Sequence, residues 1–141
     1  MARLKEYNGH YCESEYEYAF IGFLEAEGWK YSSGNNIHRV TKRDILIVDD
    51  FKKFIADTNP DLTEEEVTQI YDNVRLVGAE SDFATLHKVY GWMVNGVQFT
   101  PQDGLPRMIP LIDFDNLDKN IFRVAVSYTH LRAHETVLDL V

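Results

Sequence analysis

Helical hydrophobic periods along most of this chain, followed by alternating and β-branched runs near its end, predict an α/β fold. Within these residues the order is that of an α+β arrangement, a helical front followed by strands. Hydrophobic residues make up 45% and aromatic residues 13% of the 141 residues, enough to pack a core and far from the composition of disordered chains. The change of period falls at Asn95-Gly96, where a repeat of 3.6 gives way to a repeat of 2.

The elements follow in order. From Ser14, the residues Tyr16, Ala19, Phe20, Phe23 and Leu24 recur at helical spacing, and Gly28 supplies a left-handed C-terminal cap. Ser14 with Glu17 three places on has the pattern of a capping box. Trp29, Lys30 and Tyr31 leave the helix, and Ser32 to Asn36 reads as a Gly/Ser/Asn-rich turn. Ile45 to Val48 is an apolar run compatible with either helix or strand. A short helix is expected from Asp49 and Asp50 to Ile55, ending before Asn59-Pro60 because proline disfavours a helical residue before it. Thr63 and Glu66 form a second capping-box pattern, ahead of Val67, Ile70, Tyr71, Val74 and Val77. Ser81 can cap a further helix bearing Phe83, Leu86, Tyr90, Met93 and Val94. Beyond it, Val97 and Phe99 alternate, Pro101 to Pro106 forms a turn, and Met108 to Phe114 and Ile121 to Val124 read as strands.

Composition narrows the classes of function. The length suits one domain or a portion of a larger one. A formal net charge of −9 repels phosphate, so this segment alone is expected to bind nucleic acid poorly. No apolar run approaches the length that spans a bilayer, and the start MARLKEYNGHY lacks the apolar segment of a secretory signal; the expected location is cytoplasmic, with no membrane partner. The single cysteine, Cys12, has no second thiol for a disulfide or zinc knuckle and reads as a small half-buried residue.

Carboxylates dominate the candidate functional residues. Glu13, Glu15 and Glu17 cluster at the start of the first helix, where spacing alone favours interaction with the helix dipole and capping of its amides. Asp113 and Asp115 lie two apart on an expected strand and would share a face able to hold a hard cation such as magnesium, whereas a solvated face or a turn-capping role before Asn116 competes with that reading. His38 and His87 are isolated and read as structural or surface residues. No GxxxxGK[ST] loop, GxSxG elbow or HExxH pair is present, so no nucleotide-binding or hydrolase motif is complete.

The last sixteen residues stand apart. VSYTHLRAHET, Val126 to Thr136, resembles the in-frame translation of a transposon end and adapter used in sequencing libraries, and Asp139 to Val141 resembles the primer segment that follows the sample index. His130 and His134, spaced like helical metal ligands, fall inside it and are set aside with it. The natural sequence is therefore expected to run to about Ala125, giving a native segment, residues 1–125, and a non-native tail, residues 126–141. Without the tail, 13 basic and 21 acidic residues leave a charge of −8 from the −9 of the whole chain.

Taken together, ESEYEYAFIGFLEAEGW (Glu13 to Trp29), NNIHR (Asn35 to Arg39), DILIVDDFKKFI (Asp44 to Ile55) and NPDLTEEEV (Asn59 to Val67) resemble the N-terminal region of the R (HsdR) subunit of type I restriction enzymes. FATLHKVYGWMVNGV (Phe83 to Val97) and LIDFDNLDKNIFRV (Leu111 to Val124) extend the likeness, with IDFDN followed by N-x-F its most specific piece. The resemblance implies the front of a truncated PD-(D/E)xK-type nuclease domain, followed in the intact enzyme by an ATP-driven DNA translocase working with modification (M) and specificity (S) subunits. It implies Mg²⁺-dependent DNA cleavage, with carboxylates placing the metal and a lysine assisting. The family's core Asp and Glu-x-Lys come after the strand at Ile121 to Val124 and are absent here, so the isolated fragment is expected to be inactive and to carry neither Mg²⁺ nor ATP. In related nucleases a glutamate of the first helix also approaches the metal. Its counterpart by position is Glu17, with Glu13 next. The rival class is a small acidic, non-catalytic binding module or DNA-mimicking inhibitor; a standalone nuclease without a motor is a third possibility.

Overall fold

The computed structural model describes residues 6–7, 10–11, 13–39, 41, 44–76 and 81–126. These form a mixed helix-and-strand fold in two compact units, one built around α1 and a parallel strand pair, the other spanning His38–Ile121.

The first unit opens with a short antiparallel pair, β1 (Glu6–Tyr7) and β2 (His10–Tyr11), which the hydrophobic periods do not predict. The Asn8-Gly9 dipeptide between them is the available sequence signal for a two-residue hairpin connection. Helix α1 (Glu13–Ala26) follows. It ends in a Schellman motif: the Trp29 amide donates to Leu24 O and the Gly28 amide to Glu25 O, both at 3.0 Å, with Gly28 at φ +93°. The cap turns the chain directly into β3 (Lys30–Ser33), a strand where only a helix exit and a turn were expected. β3 pairs in parallel with β6 (Arg123–Val126), in the register Lys30↔Arg123 to Ser33↔Val126. Such a partner, some ninety residues away, leaves no local trace in so short a segment. Arg123 Nη1 donates to Ser32 Oγ at 2.6 Å, and the Trp29 and Phe122 rings sit 5.3 Å apart just before the paired strands.

In the second unit α2 (Val48–Thr58) packs against α3 (Glu64–Arg75), and α3 against β4 (Val97–Phe99). Val48 begins α2, so the undecided run Ile45 to Val48 is a non-regular lead-in that ends as a helix start. Asp49 and Asp50 favour its N-terminal dipole, and the Asn59 amide and side chain both donate to Ile55 O at its end, before Pro60. Helix α4 (Asp82–Asn95) starts at Ser81, whose Oγ accepts from the Ala84 amide at 3.3 Å.

β4 and β5 (Arg107–Ile109) form an antiparallel hairpin around the expected Pro101 to Pro106 turn. Val97 and Phe99 point inward and Gln98 outward. The core gathers Phe54, Ile55, Val67, Ile70, Phe99 and Ile109, with Leu111 and Ile121 packed against it; each such fully buried side chain contributes about 1.5–3 kcal/mol. The expected strand Met108 to Phe114 is thus too long. It stops at Ile109 because Pro110 has no amide to donate and the chain then bends into a turn. The strand expected at Ile121 to Val124 is displaced to Arg123–Val126, since Ile121 is used by the second unit's core. Among the described residues the strands make three separate two-stranded sheets, and no helix is long and apolar enough to cross a membrane.

Candidate functional site

Glu17 lies in the second turn of α1, four residues before Ile21 and seven before Leu24. Helical spacing places these three on one face. Ile21 is only 5% exposed and Leu24 half-buried, so this is the face α1 turns inward, and α1 packs on β3 and β6. Glu17 is exposed at the open end of that stripe. Of the stripe expected from hydrophobicity only Leu24 belongs to that face: Tyr16, Phe20 and Phe23 are all more than half exposed, and Ala19 is exposed with them. The Ser14–Glu17 capping box is also corrected, because α1 begins at Glu13 and Ser14 is already inside its first turn. A serine past the cap cannot take the N-cap role. Glu13 is the first residue of α1; its side chain, Cys12, His130, His134 and the adapter-like tail beyond Val126 lie outside the described residues.

Asp113 and Asp115 are on no strand. Asp113 Oδ1 accepts from the amides of Asp115 (3.1 Å) and Asn116 (2.8 Å), which is the turn-capping role that competed with cation binding. Asn120 closes the same loop from its far end: its Oδ1 accepts from the Asp113 amide and its Nδ2 donates to Asp113 O, both at 2.8 Å, while Nδ2 also reaches Leu117 O. An asparagine amide offers one acceptor and a donor pair in the arrangement of a peptide group, which is why it can pair reciprocally with a backbone. The IDFDN…N-x-F pattern is therefore a closed structural loop, with Asp113 engaged by backbone amides. Among the described residues no three His, Cys, Asp or Glu side chains converge to hold a metal ion.

A third carboxylate, Glu66, makes a long-range contact that its local pattern does not predict. The expected capping box with Thr63 is present, Glu66 Oε2 accepting from the Thr63 amide at 2.9 Å and Thr63 Oγ1 accepting from the Glu66 amide at 3.2 Å. Its other oxygen accepts from the Gln102 amide in the β4–β5 turn at 2.9 Å. The side chain is 6% exposed, and the amides of Thr63 and then Gln102 hold its carboxyl below the ordinary range. Beside it, Arg107 grips Asp61 with two nitrogens at 2.8 and 3.1 Å, which lowers Asp61 likewise. Asp44 is lowered chiefly by the Thr41 amide at 2.8 Å. His38 is exposed and faces Asp49 at 3.3 Å, and the His87 ring stacks on Phe83, consistent with surface roles for both.

The family model for the type I restriction enzyme R protein N terminus matches residues 11–141. This chain belongs to that family. A type I restriction R-protein segment is thus what the helices and paired strands described above build, and the resemblance carried by Glu13 to Val124 identified it correctly. A relative from Methanocaldococcus jannaschii, provisionally named a type I restriction enzyme MjaIXP endonuclease subunit, is 33% identical over 118 residues, covering 77% of this chain and 11% of the relative. The chain thus spans about a tenth of the length of the curated relative it matches. No solved structure matches it.

Proposed function

We propose that this segment is the front of the nuclease domain of a DNA-cleaving, ATP-dependent translocating R subunit, acting in the cytoplasm with M and S subunits on DNA. The family match over residues 11–141 supports this reading, and the endonuclease-subunit name of the relative points the same way. The catalytic core is of the PD-(D/E)xK type, with its Asp and Glu-x-Lys supplied by sequence outside this chain; no Glu-x-Lys triplet and no GxxxxGK[ST] loop occur here. The segment by itself does not cut DNA.

One geometric observation carries the site assignment: Glu17 shares α1's inward face with Ile21 and Leu24 yet stays exposed. A carboxylate at the open end of a sheet-facing stripe can reach a ligand lying over the strand ends without being buried uncompensated. Glu17 fits as one ligand of an Mg²⁺ set that other residues would have to complete; among the described residues no three such donors converge. Glu13 sits one turn nearer the helix start and is the second candidate. When bound, Mg²⁺ neutralises charge on the scissile phosphate and activates water.

The test is Glu17→Gln in a complete R subunit carrying this segment. Cleavage should fall at least a hundredfold with Tm unchanged, translocation-coupled ATP hydrolysis serving as the control for an intact motor. Retained cleavage would remove Glu17 from the site, and a lowered Tm would make it a structural residue. The reading frame supplies a separate check: continuation into an Asp strand, Glu-x-Lys and a phosphate loop is expected, and a stop within a few residues of Ala125 would favour the acidic binding module.

A further inference from the structure

Helix α4 buries none of its residues. Phe83, Leu86, Tyr90, Met93 and Val94 are 81, 69, 68, 47 and 51% exposed, and their spacing puts them on one face. The C-terminal end of that face runs into a cleft of about 580 Å³, where Met93 and Val94 meet Phe54 and Leu111 and the start of the Asp113–Asn120 loop, including Phe114. An apolar row of this extent leading into a concave end is the form of a groove that takes an amphipathic helix, not a scatter of single exposed residues.

Charge narrows the occupant. The cleft is lined by three carboxylates, Asp57, Asp113 and Asp115, against one ammonium, Lys119; Lys53 pairs with Asp57 and two backbone amides donate to Asp113, so Asp115 carries most of the acidic character that a basic rim would meet. A second copy of this chain, with its net charge of −9, would bring like charge to like charge, which disfavours self-association on this face. The complementary partner has an apolar face with Lys or Arg on its rim. The chain covers only 11% of the relative's length, so in a subunit of that size most of the polypeptide lies outside this segment, at high effective concentration.

We infer that the α4 face and its adjoining cleft dock a basic amphipathic helix from the remainder of the same R-subunit polypeptide, fixing this segment to the body of the subunit. The inference rests on the R-subunit reading above. It assigns α4 an assembly role separate from the α1 carboxylates.

The test places a cysteine by Leu86→Cys in this 141-residue chain and in the complete R subunit, and follows N-ethylmaleimide labelling of the peptide carrying position 86 by mass spectrometry. Labelling should be at least tenfold slower in the complete subunit alone, without M or S. Asp57→Lys combined with Asp115→Lys, neither placed at the cleavage site, should restore labelling threefold or more. Equal labelling in both proteins overturns the inference. So does protection that appears only on adding M and S, which assigns the groove to another subunit, or protection of the short chain that grows with its concentration, which assigns it to a second copy. Protection indifferent to the charge reversals overturns the basic character of the partner. DNA cleavage by the unsubstituted complete subunit with M and S, measured in parallel, tests the R-subunit reading on its own.

Discussion

Glu66 and Gln102 are 36 positions apart in sequence, yet the Glu66 carboxylate accepts the Gln102 amide at 2.9 Å while its other oxygen closes the cap of α3. One side chain thereby ties a helix start to a hairpin turn. Glu66→Ala removes both bonds and leaves two backbone donors short of partners, so it should lower Tm by roughly 5 °C or more. Glu66→Gln keeps an acceptor for one amide and should fall between. Circular dichroism melts of the three proteins check the order.

Acid should act through the same group. Glu66, Asp61 and Asp44 all have folded values below their ordinary 4.5, 3.8 and 3.8. A depressed folded value means stabilisation that is complete above the ordinary value and is lost as pH falls through the folded one. Urea midpoints should therefore be flat from pH 7 to about 5 and decline below about 4.5. The Glu66→Gln protein should show a shallower decline, and an unchanged slope would remove Glu66 from the effect.

Gly96 and Gly22 make a contrasting pair. A Cβ at Gly96, at φ +88°, would lie 2.5 Å from the Ile109 carbonyl oxygen of the partner strand, so Gly96→Ala should destabilise by about 1–3 kcal/mol. At Gly22, inside α1, a Cβ meets nothing within 4 Å. Gly22→Ala should stabilise by about 0.5–1 kcal/mol. Urea denaturation of both variants decides it.

Asn120→Ala should open the Asp113–Asn120 loop, because a methyl group replaces the acceptor of the Asp113 amide and the donor to two carbonyls. Amide exchange at Asp113 should accelerate by at least tenfold, and overall stability should fall by about 1–2 kcal/mol. Unchanged exchange would show that the loop is held elsewhere.

The adapter-like tail predicts a genomic outcome. Amplification and sequencing of the contiguous locus should give a coding sequence that departs from VSYTHLRAHET after about residue 125. A locus that encodes Val126 to Val141 without a break would make those residues native.

Much of the helical region was legible in the sequence because capping and period are local. Thr63 with Glu66 located the start of α3 to the residue, Ser81 that of α4, and Gly28 the end of α1, since each satisfies backbone groups within a turn of itself. The family was legible too, through IDFDN and N-x-F, although their local chemistry proved to be loop closure. Three features belong to the tertiary structure alone. Strand β3 exists because Arg123–Val126 lies alongside Lys30–Ser33, the second oxygen of Glu66 has a partner only because the hairpin turn folds over α3, and the inward face of α1 is Ile21 and Leu24 instead of the more aromatic Tyr16–Phe20–Phe23 row. Hydrophobic period determines that a helix has an apolar side, but which side is covered depends on the neighbours that arrive, and hydrogen bonds between distant segments leave no period to read.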